Sequence, residues 1–355
     1  MSGATSVRPM RSPSTGQVEG PFSARFHSGR SGRHPDGASP VEGLRMSQSY
    51  EHRPVMVDEV VAILGEVPPG PVVDATVGGG GHARALLEAH PQLSVIGIDR
   101  DPAALDAAAA ALAPFGERIV LRRARFDALD DVVRSLGHDG ISGALFDLGV
   151  SSPQLDRPER GFSYREAGPL DMRMDPDGTL TAADVLNTYD EAELARLFAA
   201  SGERRFAGRI ARSVVAGRPL GSTDDLVDAV KRGVPAAARR TGGHPAKRVF
   251  QAVRVEVNRE LDVLGPALDA AIGLLVPGGR VVSLAYHSGE DRIVKDRFTN
   301  AATGGCVCPP GLPCVCGAVP SARLINRGAR KPSATEVAVN RRAEAARLRA
   351  LEKLA

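Results

Sequence analysis

The chain has 355 residues, about two domains at roughly 150 residues each, and at this length about 75% of the unfolded surface is buried on folding, so no staple is needed. Apolar residues make up 43% and charged residues 25%, which excludes collagen, coiled coil and wholesale disorder. With 45 basic and 42 acidic residues the formal charge is +3, and charge alone names no partner. No apolar run approaches the roughly 18 residues of a membrane span. Tryptophan is absent and aromatics are 4%, so the core is expected to be aliphatic. Only five of the basic residues are lysines: Lys231, Lys247, Lys295, Lys331 and Lys353. Arginine forks onto phosphate and stacks on bases, so the bias suits nucleic acid. A GC-rich genome, whose codons favour Arg and Ala, gives the same bias.

Residues 1–45 are rich in Ser, Gly, Pro and Arg and show no apolar period, so they are expected to be a disordered extension. Met46 is an alternative start, and without a hydrophobic signal segment the protein reads as cytoplasmic. From about residue 55 strands and helices alternate. A β-branched strand at 71–77 runs into Gly78-Gly79-Gly80-Gly81, and a helix follows at 82–89. A second strand at 93–98 ends at Asp99; Asp101 then caps a helix that has Pro102 at its first position. Further strands are expected at 119–122 and 141–146. This alternation implies a parallel sheet with helices on both faces. Residues 151–177 read as loop and 181–265 as helices. The αβ pattern resumes with a helix at 261–275 and a strand at 280–284. The expected organisation is an αβ domain over 46–152 and 266–340, an inserted helical domain over 153–265, and a basic C-terminal helix at 341–355.

The glycine turn after the first strand offers free N–H groups at a helix N-terminus and close backbone approach to a ligand. The spacing Gly78-x-Gly80-x-x-Ala83 fits a dinucleotide fingerprint; a tight turn with no ligand would look the same. Asp99, about 20 residues on at a strand end, is placed to accept both hydroxyls of a ribose. NAD and S-adenosylmethionine are the two cofactors this pattern admits. Asp74, inside the turn, sits badly beside a pyrophosphate and well beside an ammonium or sulfonium, which favours the second. The polar loop 147–154 at the end of the fourth strand lies where such folds bind substrates.

Five segments then carry a resemblance: 147–154 (DLGVSSPQ), 160–163 (RGFS), 168–175 (GPLDMRMD), 250–258 (FQAVRVEVN) and 287–295 (HSGEDRIVK). Together the chain resembles the bacterial 16S ribosomal RNA cytosine-N4 methyltransferase family. The resemblance implies an α/β fold: a class I, Rossmann-like methyltransferase sheet of seven strands with an inserted helical domain. It implies S-adenosylmethionine as cofactor, with contacts from Gly80, Gly81, His82, Asp99, Phe126, Asp147 and Gln154. Phe126 would wall the adenine, although a core aromatic reads the same. The implied partner is 16S rRNA or the small ribosomal subunit, with methylation of cytosine 1402 of the decoding region in standard rRNA numbering. Nothing in the sequence fixes an oligomeric state. Gly289 stands where the family has Leu, and the 340–346 stretch departs from its usual pattern.

The exocyclic amine of cytosine is a poor nucleophile, so it must be aligned and relieved of a proton. Asp147 and Ser152 are the candidates for this, with a plain turn as the alternative for Ser152. His287 is a second candidate for touching the base, or a structural histidine. No cysteine precedes Cys306, which disfavours methylation at C5 through a cysteine nucleophile. Arg204, Arg205, Arg209, Arg212, Arg239, Arg240, Lys247 and Arg248 are candidates for phosphate contact. Cys306, Cys308, Cys314 and Cys316 are spaced to hold zinc, or are reduced thiols in a redox-labile loop. A DNA amino-methyltransferase and a non-catalytic RNA-binding assembly factor are the rival functions.

Overall fold

The computed structural model describes residues 53–240, 244–309 and 315–355. The extension at 1–45, Met46 and Cys314 lie outside the described residues.

Seven strands form one sheet in the order β3-β2-β1-β4-β5-β7-β6. They are β1 (Gly70–Asp74), β2 (Leu93–Asp99), β3 (Ile119–Arg123), β4 (Ile141–Asp147), β5 (Leu275–Ala285), β6 (Ala322–Leu324) and β7 (Arg347–Lys353). The first five pair in parallel, and β7 lies antiparallel between β5 and β6. The central strands are covered on both faces, so β4 reads as an almost unbroken buried run from Ile141 to Phe146, as a parallel sheet requires. On one face pack α4 (Leu129–Ser135), α12 (Glu260–Leu274) and α13 (Ser288–Thr303), closing a core around Ile96, Phe146, Leu268 and Phe298. On the other pack α1 (Val57–Leu64), α2 (Gly81–Ala89) and α3 (Pro102–Leu112), around Leu64, Val72, Leu87 and Leu145. The cap at α3 is as expected: the Asp101 side chain accepts from the Ala103 N–H, with Pro102 at the first position.

Between β4 and α12 the chain forms α5 (Ser152–Asp156), α6 (Ala182–Thr188), α7 (Glu191–Ala200), α8 (Ala207–Ala216), α9 (Thr223–Gly233), α10 (Ala236–Arg239) and α11 (Ala246–Asn258). Helices α6 to α9 and α11 close a separate core around Leu186, Phe198, Ile210, Val230 and Val253. Phe198 has no accessible surface. Phe198→Ala is expected to cost about 3–5 kcal/mol, read as a fall in the denaturant midpoint. Arg259, in the left-handed conformation at φ 51°, separates α11 from α12. Leu264, Ala267 and Leu268 then pack on the sheet.

The C-terminal helix expected at 341–355 is not formed. A 3-10 turn at Arg341–Ala345 leads into β7. The Ala, Arg and Leu content favours a helix locally, but Leu348, Ala350 and Leu351 are buried while Arg347 and Arg349 stay half-buried at the sheet face. Pairing with β5 and β6 overrides the local preference. Among the described residues no helix is long and apolar enough to cross a membrane.

Candidate active site

The sheet order reverses direction between β1 and β4, which leaves a crevice beyond the carboxyl ends of these strands. Three neighbouring strands each end there in an aspartate: Asp74 on β1, Asp99 on β2 and Asp147 on β4. After β1 the chain turns through Gly78 (φ 52°) and Gly80 (φ 83°) into α2. Both conformations are left-handed, where a side chain is strained, and a Cβ on Gly80 would also press to 3.0 Å from Leu112 Cδ1. The turn is held from below: Asp99 Oδ2 accepts from the Gly78 N–H at 3.0 Å and Oδ1 from the Asp101 N–H at 2.9 Å. Each carboxylate oxygen keeps a second lone pair for a ligand.

A cavity of about 1330 Å³ opens over this turn, lined by Gly78, Gly79, Gly81, His82, Asp99, Phe126, Asp147 and Gln154 among others. Ordinary ligand pockets run to roughly 300–1,000 Å³, so it has room for a nucleoside cofactor and a target base together. Phe126 meets Phe146 edge-on at 6.0 Å between ring centres and presents a wall to the cavity. Asp147 is fixed from two sides. Its Oδ1 accepts from the Tyr286 hydroxyl at 2.7 Å, and its Oδ2 lies 3.5 Å from His82 Nδ1. The other ring nitrogen of His82 is 3.0 Å from the Val55 carbonyl. Burial, with Asp147 beside it, pushes the Tyr286 phenol well above its usual range, so Tyr286 remains a donor.

The donor set suits a cation. Burial pushes the carboxyl of Asp74 up to about 7, with Asp147 and Asp99 adding to the rise. Burial also raises Asp99. Positive charge in the adjoining cavity would relieve this crowding. S-adenosylmethionine brings a sulfonium, an ammonium and a ribose diol, and the residues present fit all three. A consequence is testable. Bound positive charge favours ionised Asp74, so below pH 7 binding must release its proton, and affinity weakens as pH falls. The Kd for S-adenosylmethionine is expected to rise by up to about tenfold per pH unit below 7, and Asp74→Asn to flatten that dependence, both read by isothermal titration calorimetry.

Of the residues singled out in the sequence, Gly81, His82, Asp99, Phe126, Asp147 and Gln154 line one cavity. Asp74 and Gly80 do not line it. Asp74 lies buried beneath the turn, accepting from the Thr76 N–H, and Gly80 supplies the turn itself. Gln154 is already engaged, donating to Asp101 Oδ2 and accepting from the Ser151 N–H. Ser152 opens α5; its side chain lies outside the described residues. His287 lines the cavity, but its Nδ1 accepts from the Gly289 and Glu290 N–H groups and its Nε2 lies 3.1 Å from Glu290 Oε1. It serves as the N-cap of α13.

Several wall residues were not among the candidate site residues, although Arg254 lies in the 250–258 segment and Arg341, Arg342 and Glu344 in the 340–346 stretch. Tyr286 is one. Arg254 and Glu260 form another, a buried two-bonded pair at 2.9 Å. The C-terminal segment adds Arg341, Arg342 and Glu344 to the cavity wall, and Arg342 reaches Asp156 of α5 at 2.7 Å.

A second cavity of about 1030 Å³ adjoins the first and shares Lys247, Gln251, Tyr286 and His287 with it. Arg205, Lys247, Arg248 and Arg259 line it. Of the candidate phosphate ligands, then, Arg205, Lys247 and Arg248 face this groove, while Arg204, Arg209, Arg212, Arg239 and Arg240 do not. Arg212 is paired with Glu191 at 3.2 Å, and within the groove Arg248 lies 3.5 Å from Glu203 and Arg259 3.3 Å from Asp262. Where the two cavities meet, Tyr164 stacks on His244 with ring centres 4.7 Å apart.

A seven-stranded sheet with one reversed strand, three strand-tip carboxylates and a glycine turn at its switch point defines a class I S-adenosylmethionine-dependent methyltransferase. The family model described as the MraW methylase family matches residues 49–354. A ribosomal RNA small subunit methyltransferase H from Mycobacterium sp. (strain KMS) is 48% identical over 361 residues, covering 99% of this chain and 96% of the relative. Its counterpart in Thermobifida fusca (strain YX) is 50% identical over 316 residues, covering 87% and 95%. That of Heliobacterium mobile is 48% identical over 311 residues, covering 86% and 99%. The chain belongs to the MraW methylase family.

Proposed function

We propose that the protein methylates the exocyclic N4 of a cytosine in the decoding region of 16S rRNA, in the small ribosomal subunit. The observation that carries this reading is the joining of a carboxylate-lined nucleoside cavity to a second cavity that carries Arg205, Lys247, Arg248 and Arg259 beside Glu203, Glu256 and Asp262. The names of the relatives support ribosomal RNA as acceptor. A ribosomal substrate places its work in the cytoplasm.

The cofactor supplies an electrophilic methyl. The rest falls to this chain. Asp99 would accept from the ribose hydroxyls, and Phe126 would cover the adenine. The target cytosine has to leave its stack to enter, and the Tyr164–His244 pair offers a surface for it at the cavity mouth. Asp147, held by Tyr286 and His82, accepts from the amine and takes the proton that the nitrogen sheds. Among the described residues no cysteine lines the cavity, so attack at C5 finds no thiol nucleophile among them.

Methyl transfer to small-subunit particles, followed by mass mapping of 16S rRNA from a strain lacking the protein, tests this reading. One cytosine is expected to lose an N4 methyl. Transfer to duplex DNA instead, or cofactor binding without transfer, would favour the rival functions. Lys247→Ala and Arg248→Ala are each expected to weaken RNA binding and flatten the slope of log K against log salt by about 0.7 per lost contact. Arg240→Ala, off the groove, should leave the slope unchanged; filter binding at several salt concentrations reads both.

A further inference from the structure

Between α13 and β6 runs a loop, 304–321, with no regular strand or helix among its described residues. Its ends are tied, since the Ser321 N–H donates to the Ala301 carbonyl at 2.9 Å. None of its described residues is buried, and Val307, Val315 and Val319 are 86%, 88% and 79% exposed. An apolar core therefore does not hold its described residues. Loops of this length with no core of their own are uncommon in compact domains. Yet the Sγ atoms of Cys306, Cys308 and Cys316 all lie within 4.8 Å of one another, with Cys306 and Cys316 at 3.6 Å. The backbone N–H of Val315 donates to Cys308 Sγ at 3.4 Å, a contact that stabilises a thiolate.

We propose that Cys306, Cys308 and Cys316 bind a structural zinc ion that fastens the 304–321 loop between α13 and β6. Tetrahedral zinc with bonds of about 2.3 Å to sulfur holds its thiolates about 3.8 Å apart, close to the spacing present. A disulfide would need about 2.05 Å. The donor set also selects the metal. The sequence from Gly304 to Ser321 contains no Asp, Glu or His, so the local donors are all soft, which disfavours magnesium or calcium. The fourth position of the tetrahedron is left for one further donor; Cys314 lies outside the described residues. Binding replaces the missing apolar core as the source of order in the loop. The site lies apart from the cofactor cavity, whose lining includes none of these cysteines.

The full chain, purified under reducing conditions without chelator, is expected to carry about one zinc per molecule by elemental analysis. Its cobalt-substituted form should show the visible bands of a tetrahedral thiolate site. Cys306→Ser combined with Cys308→Ser should lower zinc content at least about tenfold, while calorimetry still finds parental affinity for S-adenosylmethionine. If the double variant fails to fold, the cobalt spectrum of the parent decides. Octahedral cobalt, metal-free thiols, or a metal-free chain lighter by the hydrogens of a disulfide would each overturn the proposal.

Discussion

Asp99→Ala is expected to weaken S-adenosylmethionine binding by about 100-fold. Hydrogen bonds to a charged acceptor contribute about 1.5–3 kcal/mol, and two ribose hydroxyls would converge on this one carboxylate. The same side chain also accepts from the Gly78 and Asp101 N–H groups, so its loss loosens the glycine turn as well. Asp99→Asn separates the two effects. The amide oxygen can still accept from one backbone donor, so the turn is partly kept, while the acceptor for a second hydroxyl is gone. It should fall between the parent and Asp99→Ala. Calorimetric titration reads the affinity, and thermal unfolding without cofactor reads the turn. An unchanged Kd in Asp99→Ala would remove the ribose from this strand tip.

Asp147→Ala is expected to lower kcat by about 10²–10⁴-fold, the usual contribution of a positioned proton acceptor, with a smaller effect on cofactor affinity. Its neighbours set up the comparison. Tyr286→Phe removes the 2.7 Å hydrogen bond to Oδ1 and leaves the carboxylate, so it should lower kcat less than Asp147→Ala does. Single-turnover methyl transfer to small-subunit particles separates chemistry from product release. A fall in affinity with kcat unchanged would make Asp147 a cofactor ligand and move proton acceptance elsewhere.

The first four strands and the capped α3 were legible in the sequence because they rest on local signals: β-branched runs, glycine at the turn, and Asp-Pro at a helix start. The three aspartates were legible for the same reason, each closing an apolar strand. What the sequence hid depends on contacts across the fold. β7 carries residues that favour a helix and becomes a strand only because β5 and β6 leave a slot for it. Tyr286 matters through Asp147, 139 residues away in the chain. The Arg342–Asp156 contact joins the C-terminal segment to α5 across 186 residues. His287 combines both of its readings: it follows β5 and lines the cavity, while its ring accepts from the first turn of its own helix.

Crystallisation with S-adenosylmethionine or its demethylated product tests the central claim most directly. The ribose hydroxyls are predicted to lie within about 3 Å of the Asp99 carboxylate, with the sulfur over the Gly78–Gly81 turn and facing Asp147. A cofactor bound with its ribose elsewhere, or a cavity filled by side chains from the helical block, would contradict it.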